Sequence, residues 1–118
     1  MIHFDKVTKV YFDDSVALSD VSLFVKPKEF VSIVGHSGAG KTTLIKMILA
    51  EEKPSRGTVL FEKIDIHRLK NRDISKLRRR IGTVFQDFKL LPNKTVFENI
   101  AFAMEAAGRT DEEIASDV

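Results

Sequence analysis

A glycine-rich segment between two apolar runs constrains the fold of this chain more than any other part of its sequence. Residues 35–42 read GHSGAGKT and match the pattern G-x-x-x-x-G-K-[ST], in which a tight loop joins a strand to a helix. The preceding run FVSIV (residues 30–34) is strand-like, and the following run TLIKMILA (residues 43–50) is compatible with a helix. The sequence therefore predicts a strand–loop–helix unit within an α/β fold.

The residue types in this loop suit the binding of phosphate groups. Glycines let the backbone curl so that successive N–H groups point at one anion, and the following helix adds the partial positive charge of its N-terminus. Lys41 can reach the β- and γ-phosphates of a nucleotide, and the Thr42 hydroxyl can ligate Mg²⁺. The His36 side chain lies at a variable position and is expected to be a spectator. The predicted phosphate-binding residues are Gly35, His36, Ser37, Gly38, Ala39, Gly40, Lys41 and Thr42.

The composition excludes several other kinds of site. The chain has no cysteine, which excludes disulfides, thiolate catalysis and cysteine-ligated zinc. The net charge of +2 does not indicate nucleic-acid binding, and the basic run at residues 76–80 is interpreted as a solvated helix face. No apolar run approaches the ~18 residues of a membrane span, and no signal peptide is recognised at the start. We therefore expect a cytoplasmic protein that reaches a membrane only through a partner.

Periodicity and turn residues predict the order of the elements in this 118-residue chain. The predicted strands are residues 2–7, 16–25, 30–34, 58–62 and 81–86. One predicted helix follows the loop and ends in the turn before Pro54. Two more cover residues 71–80 and 96–107, and a fourth begins near Thr110. Thr95 and Glu98 are spaced as a capping box, and Gly108 is expected to end that helix.

The order of these motifs resembles the nucleotide-binding domain of ABC-type ATPases. An aromatic residue, Tyr11, comes first, then the loop at 35–42, a Pro-Ser-x-Gly turn at 54–57, and the segment LRRRIGTVFQ at 77–86. The resemblance covers the whole chain. Within the family, the stretches GHSGAGK, RLKNR (68–72) and FQDFKLLP (85–92) favour the cell-division ATP-binding subunits. The alternative is a subunit of another exporter or importer, of the lipoprotein-release, macrolide or amino-acid type.

The resemblance implies a fold and a division of the chain. The fold is an α/β P-loop NTPase core with an N-terminal antiparallel β subdomain, truncated at the start of the helical subdomain. Residues 1–94 would form the β subdomain and the P-loop core through the Q-loop, and residues 95–118 would begin the helical subdomain.

The resemblance also implies cofactors and the roles of individual residues. ATP and Mg²⁺ are the implied cofactors. Tyr11 would stack on adenine, although the adjacent Phe12 is an alternative. Thr43 would support the α- and β-phosphates. Gln86 would act with Lys41 in catalysis, contacting Mg²⁺ and the attacking water, so that Thr42 and Gln86 are the implied metal-binding residues.

Partners follow from the same resemblance. Such subunits dimerise when full-length and act on an integral membrane subunit; nucleic acid is not an implied partner. Two positions depart from the family pattern, since Lys28 and Ala50 stand where relatives usually have glycine. The signature motif, the Walker B acidic residues and the switch histidine of the family find no match in the chain.

Three functions remain open on the sequence. The first is an ATPase subunit, seen as an N-terminal half that binds ATP without hydrolysing it. The second is a nucleotide-binding module without turnover. The third is a P-loop kinase or small NTPase, which the β region before the loop and the Phe85-Gln86 segment disfavour.

Overall fold

A four-stranded antiparallel sheet organises residues 1–77 of the computed structural model, which describes all 118 residues. The strand order is β2-β1-β3-β4. The strands are β1 (Ile2–Val10), β2 (Val16–Val25), β3 (Arg56–Phe61) and β4 (Ile64–Asp65). In β1, Phe4 lies opposite Leu23 of β2 and Val59 of β3, which buries it completely. The strands predicted at 2–7, 16–25 and 58–62 are therefore confirmed, with β1 three residues longer.

A bulge in β1 explains why two residues three positions apart both face the core. Phe4 and Val7 are fully buried, yet strict alternation would place them on opposite faces. The pairing register with β2 shifts between these two residues, and Lys6 between them has a φ of 48°. An extra residue in one strand produces this change of face.

Helix α1 (Lys41–Ile48) follows the glycine-rich loop and buries Thr43, Leu44 and Met47. The helix ends earlier than the position of Pro54 predicts. Ala50 adopts a φ of 56°, its N–H donates to the Met47 carbonyl, and the Glu51 N–H donates to the Lys46 carbonyl. These two bonds form a Schellman motif, so the backbone ends the helix before proline can.

The remaining helices agree with the sequence-based expectations. Helix α2 is Asn71–Arg79, and a single 3₁₀ turn, Ile66–Arg68, precedes it. Residues 78–118 form a second unit, described here by itself, with helices α3 (Val96–Ala106) and α4 (Asp111–Asp117). The predicted capping box of Thr95 and Glu98 is present at α3, and Thr110 and Glu113 form a second one at α4. None of these helices has the length and hydrophobicity needed to cross a membrane.

Two predicted strands, residues 30–34 and 81–86, are not strands in the structure. Neither pairs with another strand, and side chains in both are exposed: Phe30 to 93%, Val34 to 87% and Val84 to 96%. The apolar composition suits a buried strand, but a strand also needs a neighbour to accept and donate its backbone hydrogen bonds. The four strands of the sheet pair only with one another, which leaves these two segments unpaired.

Candidate functional site

The loop at residues 35–40 contains two glycines whose backbone angles would strain any other residue. Gly38 and Gly40 have φ values of 81° and 84°, in the left-handed region that favours glycine. A Cβ at Gly40 would clash with the Ala17 carbonyl oxygen of β2. Gly40 therefore both turns the chain into α1 and lets the loop lie directly against the sheet.

The Lys41 side chain folds back over this loop. Its Nζ donates to the carbonyl oxygens of Gly35 and His36, both at 2.7 Å. The ammonium group therefore lies within the concavity of the loop. The His36 ring turns to the Ser37 carbonyl, 2.7 Å from Nδ1.

The start of α1 offers backbone N–H groups and no competing negative charge. Gly40 is the N-cap and supplies no side-chain hydrogen bond, and the first turn contains no acidic residue. The first N–H groups of a helix lack intrahelical acceptors and attract anions. Thr42 is exposed at this end, whereas Thr43 is buried with 8% of its surface accessible.

Tyr11 lies beside the first turn of α1. The Tyr11 hydroxyl is 3.3 Å from Thr43 Oγ1, which links the aromatic ring to the first turn of α1. Phe12 is fully exposed. Of the two aromatic residues that the sequence offers for stacking on a base, Tyr11 contacts the helix that follows the candidate phosphate loop.

Gln86 lies in the second unit, within a turn at residues 86–89, and its side chain is exposed. Phe88 and Lys89 in this turn have φ values of 56° and 52°. Lys89 pairs with Asp87 at 2.6 Å, and this hydrogen bond holds the pKa of Asp87 below its usual value. A carboxylate stabilised in this way is a weak base.

Comparison with known proteins places the chain in a family. The sequence profile described as ABC transporter matches residues 18–118. The chain belongs to the ABC transporter family. It is 52% identical over 108 residues to the cell division ATP-binding protein FtsE of Bacillus subtilis, covering 92% of this chain and 47% of that one. It is 45% identical over 114 residues to FtsE of Escherichia coli K12, covering 97% and 51%.

A solved ABC structure shows the same fold. The ATP-binding cassette MJ0796, in a dimeric post-hydrolysis state with ADP and Pi, matches with a TM-score of 0.87 and 36% identity, covering 98% of this chain and 53% of that one. The α/β fold with an antiparallel sheet, expected from the sequence, is therefore confirmed as that of an ABC ATPase cassette. The chain spans about half the length of the FtsE relatives that it matches.

The sequence alone did not reveal the surroundings of Tyr11. Lys9 approaches the Tyr11 ring and forms an ion pair with Glu52, which follows α1. Lys9 and Tyr11 lie beyond the strand predicted at 2–7, and the register of β1 shifts at Lys9, so strand alternation could not predict this contact. Glu52 could not be found in this way either, because only the fold brings it to β1.

Proposed function

We propose that this chain is the ATP-binding part of an FtsE-like subunit, which couples ATP binding and hydrolysis to a membrane partner in cell division. The observation that carries the proposal is the loop at 35–40, with the Lys41 ammonium group in its concavity and the uncapped start of α1 behind it. The names of the FtsE relatives support the assignment to cell division. A subunit of another ABC exporter or importer is the alternative.

ATP would bind with its phosphates in the loop and its base at Tyr11. When nucleotide arrives, Lys41 would exchange the Gly35 and His36 carbonyls for the β- and γ-phosphates. The free N–H groups at the start of α1 would point to the same oxygens. The bond between the Tyr11 hydroxyl and Thr43 supports this arrangement, because it links the proposed base-stacking ring to the phosphate-binding helix.

Mg²⁺ would be held mainly by the nucleotide. No group of three or more acidic or histidine side chains is placed to hold a metal ion. Mg²⁺ usually takes few protein ligands and completes its coordination with phosphates and water, so the exposed Thr42 hydroxyl fits such a site. The ion neutralises phosphate charge when bound. Gln86 is proposed as its second protein contact and as the residue that orients the attacking water.

The membrane partner would be an FtsX-like integral subunit, and two full-length subunits would form a homodimer around ATP. The proposed partner-facing surface is the segment of residues 87–92, beside Gln86. Two of its apolar side chains are largely open to solvent, since Phe88 is 76% exposed and Leu90 is 67% exposed, whereas Leu91 is only 37% exposed. The protein would lie in the cytoplasm, on the inner face of the membrane, through this partner.

A lysine substitution on α1 tests the ATP site. Lys41→Ala should weaken ATP affinity at least about tenfold, because charge-assisted contacts to phosphate contribute roughly 1.5–3 kcal/mol each. Isothermal titration calorimetry with MgATP measures the change. Lys46→Ala is the matched control, since Lys46 is an exposed lysine on the same helix, five residues away. Equal affinities for the unsubstituted chain and Lys41→Ala would show that the loop is not the site.

A further inference from the structure

Lys9 makes three contacts that together fix its ammonium group. Nζ lies 2.8 Å from Glu52 Oε2, donates to the Lys53 carbonyl oxygen at 2.9 Å, and lies 5.0 Å from the centroid of the Tyr11 ring. An ammonium group has three N–H donors, and here a carboxylate, a carbonyl and an aromatic face take them up. The side chains of Lys9 and Glu52 are only 13% and 27% exposed. Such a pair is screened less by solvent than a fully exposed one.

The segment that supplies these contacts is itself attached to the end of β1. The Ser55 N–H donates to the Thr8 carbonyl at 2.8 Å, and the Ser55 hydroxyl accepts from the Val10 N–H at 3.1 Å. Glu52 therefore has a fixed position relative to β1. Lys9 and Tyr11 line the same open depression of about 550 Å³ as Phe12, Glu52 and Ser55, so the tyrosine is not enclosed by the protein.

Tyr11 is consequently held at two places. The Lys9 ammonium covers one face of the ring, and Thr43 contacts the hydroxyl at 3.3 Å. A cation on one face makes the ring electron-poor, which favours stacking of an electron-rich base on the opposite face. A ring that is already fixed also loses less conformational entropy when a base stacks on it.

We propose that Lys9, held by Glu52, is a positioning residue that presents the face of Tyr11 opposite its own ammonium group to the adenine base. The proposal rests on the ATP site argued above and adds to it a residue outside the phosphate loop. The competing explanation is that the pair of Lys9 and Glu52 only fastens the 50–55 turn to β1. That purely structural role would affect stability but would not distinguish between ligands with and without a base.

The first experiment needs no nucleotide. Tyr11 is the only tyrosine and there is no tryptophan, so emission excited in the tyrosine band reports on this ring alone. Lys9→Met keeps the aliphatic stem and removes the charge, and it should lower the fluorescence anisotropy of Tyr11 as the ring gains local motion. Lys9→Arg should preserve the anisotropy, because guanidinium also binds carboxylates and aromatic faces. Lys6→Met, on an exposed lysine of the same strand, is the control. Unchanged anisotropy in Lys9→Met would overturn the proposal.

The second experiment compares two ligands, MgATP and inorganic triphosphate with Mg²⁺. Lys9→Met should weaken ATP binding roughly three- to tenfold and leave triphosphate binding unchanged, because only ATP has a base to stack. Glu52→Gln should also weaken ATP binding, by a smaller factor. Agreement between the two variants would show that the loss does not come from misfolding of Lys9→Met alone. Equal losses for both ligands, or no loss, would refute the role of Lys9 while the ATP site stands. Failure of the unsubstituted chain to bind either ligand would refute the ATP site and this role with it.

Discussion

At the scale of single residues, the end of α1 contains an alanine with an unfavourable backbone conformation. Ala50 has a φ of 56°, a region that costs an L-residue about 1 kcal/mol and costs glycine almost nothing. Lys28 is in the same unfavourable backbone region, with a φ of 63°. The sequence identified both as positions where relatives usually have glycine, and the structure supplies the reason.

Replacing Ala50 should therefore stabilise the chain. Ala50→Gly is expected to raise the free energy of unfolding by about 1 kcal/mol, measured by urea denaturation. Lys28→Gly should act in the same direction. Ala17→Gly, within β2, is the matched control and should instead destabilise by about 0.5–1 kcal/mol. A destabilising effect of Ala50→Gly would mean that the turn after α1 does not use a left-handed residue.

One histidine should make stability depend on pH. The Nε2 atom of His67 is buried without a hydrogen-bond partner. Burial lowers the pKa of His67 below its usual 6.5; the nearby positive charges of Lys53 and Lys9 act in the same direction, and the Asp65 carboxylate opposes them. As the pH falls, the unfolded chain therefore binds this proton before the folded chain does.

The free energy of unfolding should consequently decrease as the pH is lowered from about 7.5 to about 5.5. Urea unfolding at several pH values measures the slope, and His67→Gln should flatten it. The lowered pKa values of Glu98 and Glu113, which arise from their capping boxes, affect stability only at more acidic pH. A slope that persists in His67→Gln would assign the effect to other groups.

At the scale of elements, the sequence predicted correctly those features that depend only on neighbouring residues, such as helix caps and the loop. The box of Thr95 and Glu98 requires only neighbouring residues, and it appears at α3 as predicted. The glycine pattern of the loop likewise encodes its own backbone geometry. Strand pairing is different, because it depends on residues far away in the chain. The segments at 30–34 and 81–86 have the apolar composition of buried strands, but no strand of the structure pairs with them.

The segment at 30–34 should thus exchange its amide hydrogens quickly. Val31 and Ile33 line an open apolar groove of about 340 Å³, and their N–H groups have no acceptor in the chain. We expect amide exchange measured by NMR to be at least on the order of 100-fold faster for these residues than for Phe4, in the centre of the sheet. Comparable protection at Val31 and Phe4 would show that the segment pairs in solution.

At the scale of the whole molecule, binding of ATP and its hydrolysis make different demands on the chain. A loop, a lysine and a helix N-terminus are sufficient to hold phosphates, and residues 35–43 provide all three. Phosphoryl transfer to water also needs a group that positions or deprotonates the water. Three acidic residues that follow Gln86 in the chain are poorly suited to this role because each already has a partner. Asp87 is paired with Lys89, and Glu98 and Glu113 accept hydrogen bonds from Thr95 and Thr110.

The 118-residue chain should therefore bind ATP without steady turnover. Phosphate release with saturating MgATP is expected to stay below roughly one per minute, well under the typical enzyme rates of about 1–1000 per second. Lys41→Ala serves to separate genuine turnover from contaminating activity, because it removes the proposed phosphate contact. Turnover above this limit that disappears in Lys41→Ala would contradict the prediction and would require a base within these residues. Asp87→Asn would then be the first variant to examine, since Asp87 follows Gln86 directly, although the contact with Lys89 weakens it as a base.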